Sequence, residues 1–247
     1  MRRFWQWTSV VGLLVLGQAA WTAPPRRIAE IASVDELEAE IRARLAEIEP
    51  FLADEATFAE QQKRLEQAAS MLAVAAQALA DHDDASPLKP FAADLREGAV
   101  RLARAESLPE AAEGWKAAQA ARDGTSDKSA SVDVDWARLV RQRPIMEEME
   151  ARMLQLQRQL RRPRDLPKES RHAAAVALAG LTTLVDTHEV KDTSKLPEWE
   201  RLSRQIVEQM KNVASAMKDN KPAEAQAEFK KARGTCVECH RAFNVDN

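Results

Sequence analysis

The chain repeats itself. Ala68-Ala69-Ser70-Met71-Leu72-Ala73, continuing through Leu79 to His82, matches Ala174-Ala175-Val176-Ala177-Leu178-Ala179, continuing through Val185 to His188, at an offset of 106 residues. Pro90 and Leu95 match Pro197 and Leu202 at 107, Pro109 matches Pro222 at 113, and Trp115 matches Phe229 at 114. An ordered series of matches at one period marks tandem units. The step from 107 to 113 makes the third element of the second copy about six residues longer. Whatever architecture one copy adopts, the other must be able to adopt in outline.

Each copy reads as four helices. Ala, Glu, Leu, Gln, Arg and Lys dominate, glycines number only seven, and no stretch alternates with period two. Ser33 with Glu36 forms a capping box for a helix that runs to about Glu49, ahead of Pro50. Asp54 opens a second helix to about Asp81; Pro87 and Pro90 introduce a third, ending near Glu106. Ser107 with Glu110 is another capping box, and that helix fades at Asp123-Gly124. In the second copy the expected helices cover Asp135 to Leu160, with Pro144 as a kink or as the first turn, then Pro167 to Thr187, then Pro197 to Lys218. Asn220 is expected to cap the last, with Pro222 in its first turn. The fold expected is therefore all-α: two tandem antiparallel four-helix bundles over residues 30–124 and 134–247, joined by a polar linker at 125–133.

Residues 1–23 read as a secretory leader. Met1-Arg2-Arg3 is basic, Val10 to Leu16 is mostly apolar, and small residues follow up to Ala23. The expectation is export to the periplasm, with no stable membrane span after cleavage, because the apolar run falls short of the roughly 20 residues a span needs. Losing Arg2 and Arg3 moves the formal charge from −3 to −5. An acidic chain without a basic stripe argues against nucleic-acid binding.

The two cysteines both lie in one pentad near the C-terminus, Cys236-Val237-Glu238-Cys239-His240. Cys-x-x-Cys-His is the spacing of covalent haem c attachment. Residues three and four apart share a helix face. Two thiols so placed can join the two vinyl groups of one porphyrin, with the adjacent imidazole beneath the iron as metal ligand. A redox dithiol or half of a zinc site are the other readings. The redox motif normally follows a strand, and a structural zinc site needs four ligands, while His82, His172 and His188 are scattered. Carried across the repeat, the pentad falls opposite Arg122, Thr125 and Ser126, so only the second copy has the site.

The last ~110 residues resemble the cytochrome c-prime family. The likeness rests on Pro197-Glu198-Trp199, the Asn220-Lys221-Pro222 turn, Phe229, and Cys236 to Phe243 as Cys-x-x-Cys-His-x-x-Phe. It implies a four-helix bundle with one haem, Cys236 and Cys239 as thioethers and His240 as proximal ligand. The first half resembles the family only in helix pattern. Asn244 departs from it, standing where a basic residue is common. Family members often pair through their first two helices, which suggests that the haemless half replaces a second subunit as an intrachain pseudo-dimer.

The side of the haem away from His240 decides function. A second protein ligand suits electron transfer, and an open site suits a small gas such as NO. Met146, Met149 and Met153 share a face near the start of the fifth helix. Family members place the distal residue four positions after an Arg-Gln; counting from Arg141-Gln142 reaches Ile145, with Met146 one further. Met146 is the candidate sixth ligand, though a methionine stripe is also ordinary core filling. His172 and His188 are the runner-up ligands; His188, with His82 in the equivalent place of the first copy, reads rather as a helix-end residue, and His172 as a surface residue. Trp136 and Trp199 read as core or interface anchors. The Arg158, Arg161, Arg162 and Arg164 loop is either solvated or a dock for an acidic partner. The function expected is single-electron transfer with a redox partner protein. Gas binding is the second reading. An enzyme such as a peroxidase ranks last, for want of an acid–base pair near Ile145 and Met146.

Overall fold

In a computed structural model describing residues 27–243, eight α-helices carry the chain and no strand is present among the described residues. The leader expected over 1–23 and Asn244 lie outside the described residues. The helices are α1 (Val34–Ile48), α2 (Glu55–Asp81), α3 (Ala92–Arg104), α4 (Leu108–Arg122), α5 (Gln142–Arg161), α6 (Leu166–Val185), α7 (Leu196–Lys218) and α8 (Pro222–Phe243). None is long and apolar enough to cross a membrane.

Local chemistry sets most of the boundaries. Ser33 accepts from the Glu36 N–H while Glu36 accepts from the Ser33 N–H, completing the box that starts α1. Asp54, Ser107 and Asp165 cap α2, α4 and α6. At α4 the box is displaced: Glu110 reaches back to the Glu106 N–H instead of the Ser107 N–H. Pro144 lies in the first turn of α5, where an N–H would have no partner, so it kinks nothing. Asn220 does not cap α8. It ends α7, in the left-handed region at φ 54°. Its N–H reaches Met217 O, and the Lys221 N–H reaches Ala216 O. Gly124 (φ 70°) ends α4 in the same way, through Ala121 O and Thr125 N–H to Ala120 O. Both are Schellman closures, which need a residue tolerant of positive φ. Asparagine supplies that tolerance as glycine does.

Helices α1–α4 pack mainly on one another, as do α5–α8. The two groups meet through α1 and α2 on one side and α5 and α6 on the other. Helix α2 is buried without a break from Ala68 to Ala80, and α6 from His172 to Leu184. A helix covered on all sides is a central one, and the alanines let neighbours approach closely. The contacts α1 on α6 and α2 on α5 exchange if the halves are swapped, while α2 on α6 maps to itself. That is the pattern of a two-fold interface. Ion pairs cross it on both sides. Glu40 of α1 bonds Arg171 of α6 at 3.2 Å, and Glu147 of α5 bonds Lys63 of α2 at 3.0 Å.

One side of this interface holds a buried ionic knot. The Arg152 guanidinium binds both oxygens of Glu40 and, through Nε, Glu148 at 2.7 Å. Arg44 reaches Glu40 at 3.1 Å and Glu148 at 3.0 Å. Glu40 and Arg152 are 2% and 3% exposed. Burial alone would push the Glu40 carboxyl up, but Arg152, Arg44 and Arg171 hold it down at about 2. Trp136 joins the halves too, packed against α6 and donating its Nε1–H to Asp81 of α2 at 3.0 Å.

Removing one partner strands the other in a dry seam. Glu40→Gln is expected to destabilise by about 3 kcal/mol in urea unfolding. Replacing Glu40 and Arg152 together by leucine should recover most of that loss.

Candidate functional site

The last two turns of α8 carry the pentad. Phe229 and Ala232 are buried, and Cys236, Cys239, His240 and Phe243 are half-buried, along one continuous face. Val237, between the cysteines, is 55% exposed. The end of the helix is fixed from α7: Phe243 meets Trp199 edge-on with ring centroids 4.9 Å apart, and Lys195 Nζ donates to Ala242 O at 2.9 Å. Trp199 is fully buried and donates its indole N–H to Thr183 O at 2.8 Å, the anchor role expected of it. Thr235, one residue before the pentad, donates to Gln209 of α7 at 2.9 Å.

Both thiols are pushed up to about 11, Cys236 by burial against the opposing charge of Arg233, Cys239 by burial and by Cys236, Glu198 and Glu238. Thiols held protonated at neutral pH are poor at disulfide exchange, which needs the thiolate. Among the described residues no group of three His, Cys, Asp or Glu side chains is arranged to hold a metal ion.

Helix α8 packs broadly on α7 and only thinly on α5. Gln226 Nε2, near the start of α8, donates to Leu160 O near the end of α5 at 3.2 Å, so the two helices run antiparallel. Fourteen residues on from Gln226 is His240, and fourteen back from Leu160 is Met146. Both steps rise about 21 Å, so Met146 is level with His240. Met146, Met153 and Gln157 recur at i, i+7 and i+11 on the stripe of α5 beside α8. There Gln157, with its amide oxygen turned to accept, lies 2.9 Å from Arg233 of α8. Ile145, Arg152 and Leu156 recur at the same spacing one residue earlier. All three are buried, on the stripe that carries the ionic knot with α1. The register thus turns Met146, half-buried, toward α8, and turns Ile145 away.

The residues present suit a flat apolar group with polar edges between α5 and α8. The seam is thin, with half-buried Met146 on α5 and half-buried Cys236, Cys239 and His240 in the last turns of α8. One turn before Met146, the buried Gln142 leaves both amide atoms without a partner. A buried amide unpartnered at both ends is costly and points to a polar group absent from the protein itself.

The first copy is built differently at the corresponding place. A Cβ on Gly98 of α3 would stand 2.6 Å from Ala118 N of α4, and one on Gly114 would stand 2.9 Å from Leu102 N. The two helices therefore touch backbone to backbone. Helix α4 also stops at Arg122, so Thr125 and Ser126, opposite Cys239 and His240 in the repeat, lie beyond its end.

The other histidines fall elsewhere. His172 is not on the surface: it is 3% exposed, at the edge of the ionic knot. Its Nδ1 faces Arg152 at 3.5 Å and its Nε2 lies 3.1 Å from Glu169. Burial, with Arg171 and Arg152 beside it, pushes its pKa down to about 3, so the ring is neutral. No local pattern signals this burial, because Arg152 comes from another helix and Glu40 from the other half. His82 ends α2 as expected, its Nδ1 accepting from the Asp84 N–H at 3.0 Å and its Nε2 meeting Ala32 O at 3.1 Å. His188 lies just past the end of α6. There Asp186 makes the closing turn and holds the exposed ring, raising its pKa by hydrogen bonding. A groove of about 500 Å³ lies in the first half, between the end of α2 and the linker, remote from the pentad. Its charged groups are used internally: Asp94 accepts from the Ala130 N–H, Asp83 pairs with Arg27, and Lys89 donates to His82 O.

Set against family models, curated proteins and solved structures, the chain matches none.

His172 has a testable signature. Its proton uptake is suppressed in the folded state, so the unfolded state binds the extra proton below pH 6.5 and stability falls as pH drops toward 3. Between pH 6.5 and 4.5, above the range where Glu40 contributes, the expected slope is about 1.4 kcal/mol per pH unit. His172→Gln should flatten it in urea titrations across that window.

Proposed function

We propose that the protein is an exported c-type cytochrome, of the cytochrome c-prime kind, carrying one haem on α8 and passing single electrons. Cys236 and Cys239 are the attachment thiols, His240 is the iron ligand, and Met146 is the sixth ligand. The haem supplies a one-electron couple when bound. The residues around it exclude water, hold the imidazole and keep the distal side closed.

The observation that carries the reading is the pairing of Met146 with the pentad across a thin seam, Met146 facing α8 at the level of His240. The neighbours of Met146 on that stripe, Met153 and Gln157, supply no acid–base pair, which favours a carrier over a peroxidase. The first half serves as an internal partner: it covers α5 and α6 with a surface related to theirs by the pseudo-two-fold. It leaves no second copy of that face for a dimer to use.

Visible spectra of protein matured with haem-attachment machinery test the reading. A low-spin spectrum insensitive to CO is expected, and Met146→Ala should convert it to high spin with ready CO binding. Cys236→Ser or Cys239→Ser should each cost a thioether, seen as a shifted pyridine haemochrome band. A high-spin, CO-binding parent protein would reassign the function to binding a small gas, and absence of covalent haem would overturn the assignment.

Light scattering on the purified chain should give the mass of one copy. A stable dimer through α1 and α2 would refute the internal-partner role.

A further inference from the structure

The outer flank of α8 has features that its own packing does not explain. Lys230, Gly234, Val237 and Arg241 recur at i, i+4, i+7 and i+11, one face, and all are exposed. A Cβ placed on Gly234 would meet nothing within 4 Å. Glycine in a helix interior costs stability relative to alanine, and elsewhere in this chain it is kept by contact: Gly98, Gly114 and Gly180 each face an atom closer than 3.0 Å. At Gly234 no internal contact asks for it. Large exposed apolar side chains are Val132, Leu154 and Val237 among the described residues. Of the three, Val237 is the one on α8. The acidic groups of α8 nearby are tied down, Glu228 to Lys231 at 2.6 Å and Glu238 to Arg201 of α7 at 2.5 Å. That leaves Lys230 and Arg241 to set the sign of this flank, with Arg233 engaged by Gln157 of α5 and the exposed Glu150 of α5 across the seam, in a chain that is acidic as a whole.

We propose that the outer flank of α8, centred on Gly234 and Val237, is the docking surface for an acidic redox protein. The inference rests on the electron-carrier reading and names its partner class. Val237, between the two cysteines, gives a partner apolar contact at the point nearest the attached group. Gly234 lets the partner backbone approach without a side chain between, and Lys230 and Arg241 steer and orient it. The Arg158–Arg164 loop is a poorer dock for that purpose, because it lies at the opposite end of α5 from Met146, about 20 Å of helix away.

The test titrates the haem-loaded protein with flavodoxin as an acidic probe, at low and high ionic strength. Binding is read by calorimetry and mapped by hydrogen exchange on α8. Binding at low salt, its loss at high salt, and protection centred on Gly234 are expected. Lys230→Glu with Arg241→Glu should weaken it about tenfold or more, and Arg204→Glu on α7 should leave it unchanged. Gly234→Gln should raise the thermal midpoint, since a good helix former replaces glycine, while weakening binding. No binding to a haem-loaded protein, binding indifferent to Lys230 and Arg241, or a Gly234→Gln variant that melts lower would overturn the proposal and leave the cytochrome reading standing. Normal binding by Gly234→Gln with reduced haem content would also overturn it, assigning the glycine to the attachment machinery. Binding by a chain that never acquires haem would instead overturn the cytochrome reading.

Discussion

The contact between Arg152 and Glu40 ties the molecule together. Two charges removed from water lose several kcal/mol of hydration each, and they persist only where their hydrogen bonds are nearly all made. Here Arg152 spends its guanidinium on Glu40 and Glu148, and Glu40 takes Arg152, Arg44 and Arg171 together. Those partners come from α1, α5 and α6, so the arrangement exists at only one relative placement of the two halves. Its value is in register more than in stability. A hydrophobic seam of alanines can slide, and a saturated ionic cluster cannot slide without exposing a bare charge to a dry interior.

The knot also shows how the copies have diverged. Glu40–Arg171 and Glu147–Lys63 cross the interface on its two sides. Lys63 is largely exposed where Arg171 is largely covered, so the two sides of a formally symmetric interface differ in dielectric and in strength.

How much of this was legible in the amino-acid order depends on the reach of each interaction. The starts of α1, α2 and α4 could be read from Ser33, Asp54 and Ser107 because a cap bonds within three residues of itself. The pentad was legible for the same reason, its two cysteines and its histidine spanning just over one turn. Asn220 was assigned to the wrong helix, since an asparagine between two helices can start one or end the other, and only its φ decides. His172 was misplaced because burial depends on α1 and α5, which no local pattern around it encodes. The choice between Ile145 and Met146 was open in sequence. One residue rotates a helix face by about 100°, and only the partners of Arg152 and Gln157 tell which face looks where.

The same duplication explains why one copy is closed and the other open. In the first half Gly98, Gly114 and Ala118 bring α3 and α4 into backbone contact, and α4 ends at Arg122 in a Schellman turn. In the second half Gln205, Gln209 and Glu228 occupy the positions of Gly98, Leu102 and Gly114, so α7 and α8 cannot close to the same distance. Helix α8 then runs past the point where α4 stops by seven residues, from Cys236 to Phe243, and those two turns contain Cys239, His240 and Phe243. A helix end normally frays, because its last carbonyls have no partners. This one is held: Lys195 binds the Ala242 carbonyl, and Phe243 stacks edge-on against the buried Trp199. The fold has therefore stiffened the end of α8 from the α7 side while leaving the α5 side thin. The remaining freedom at this end of the second half lies in the approach of α5, and the placement of α5 is set by the knot at Arg152, two turns along from Met146 on the same helix.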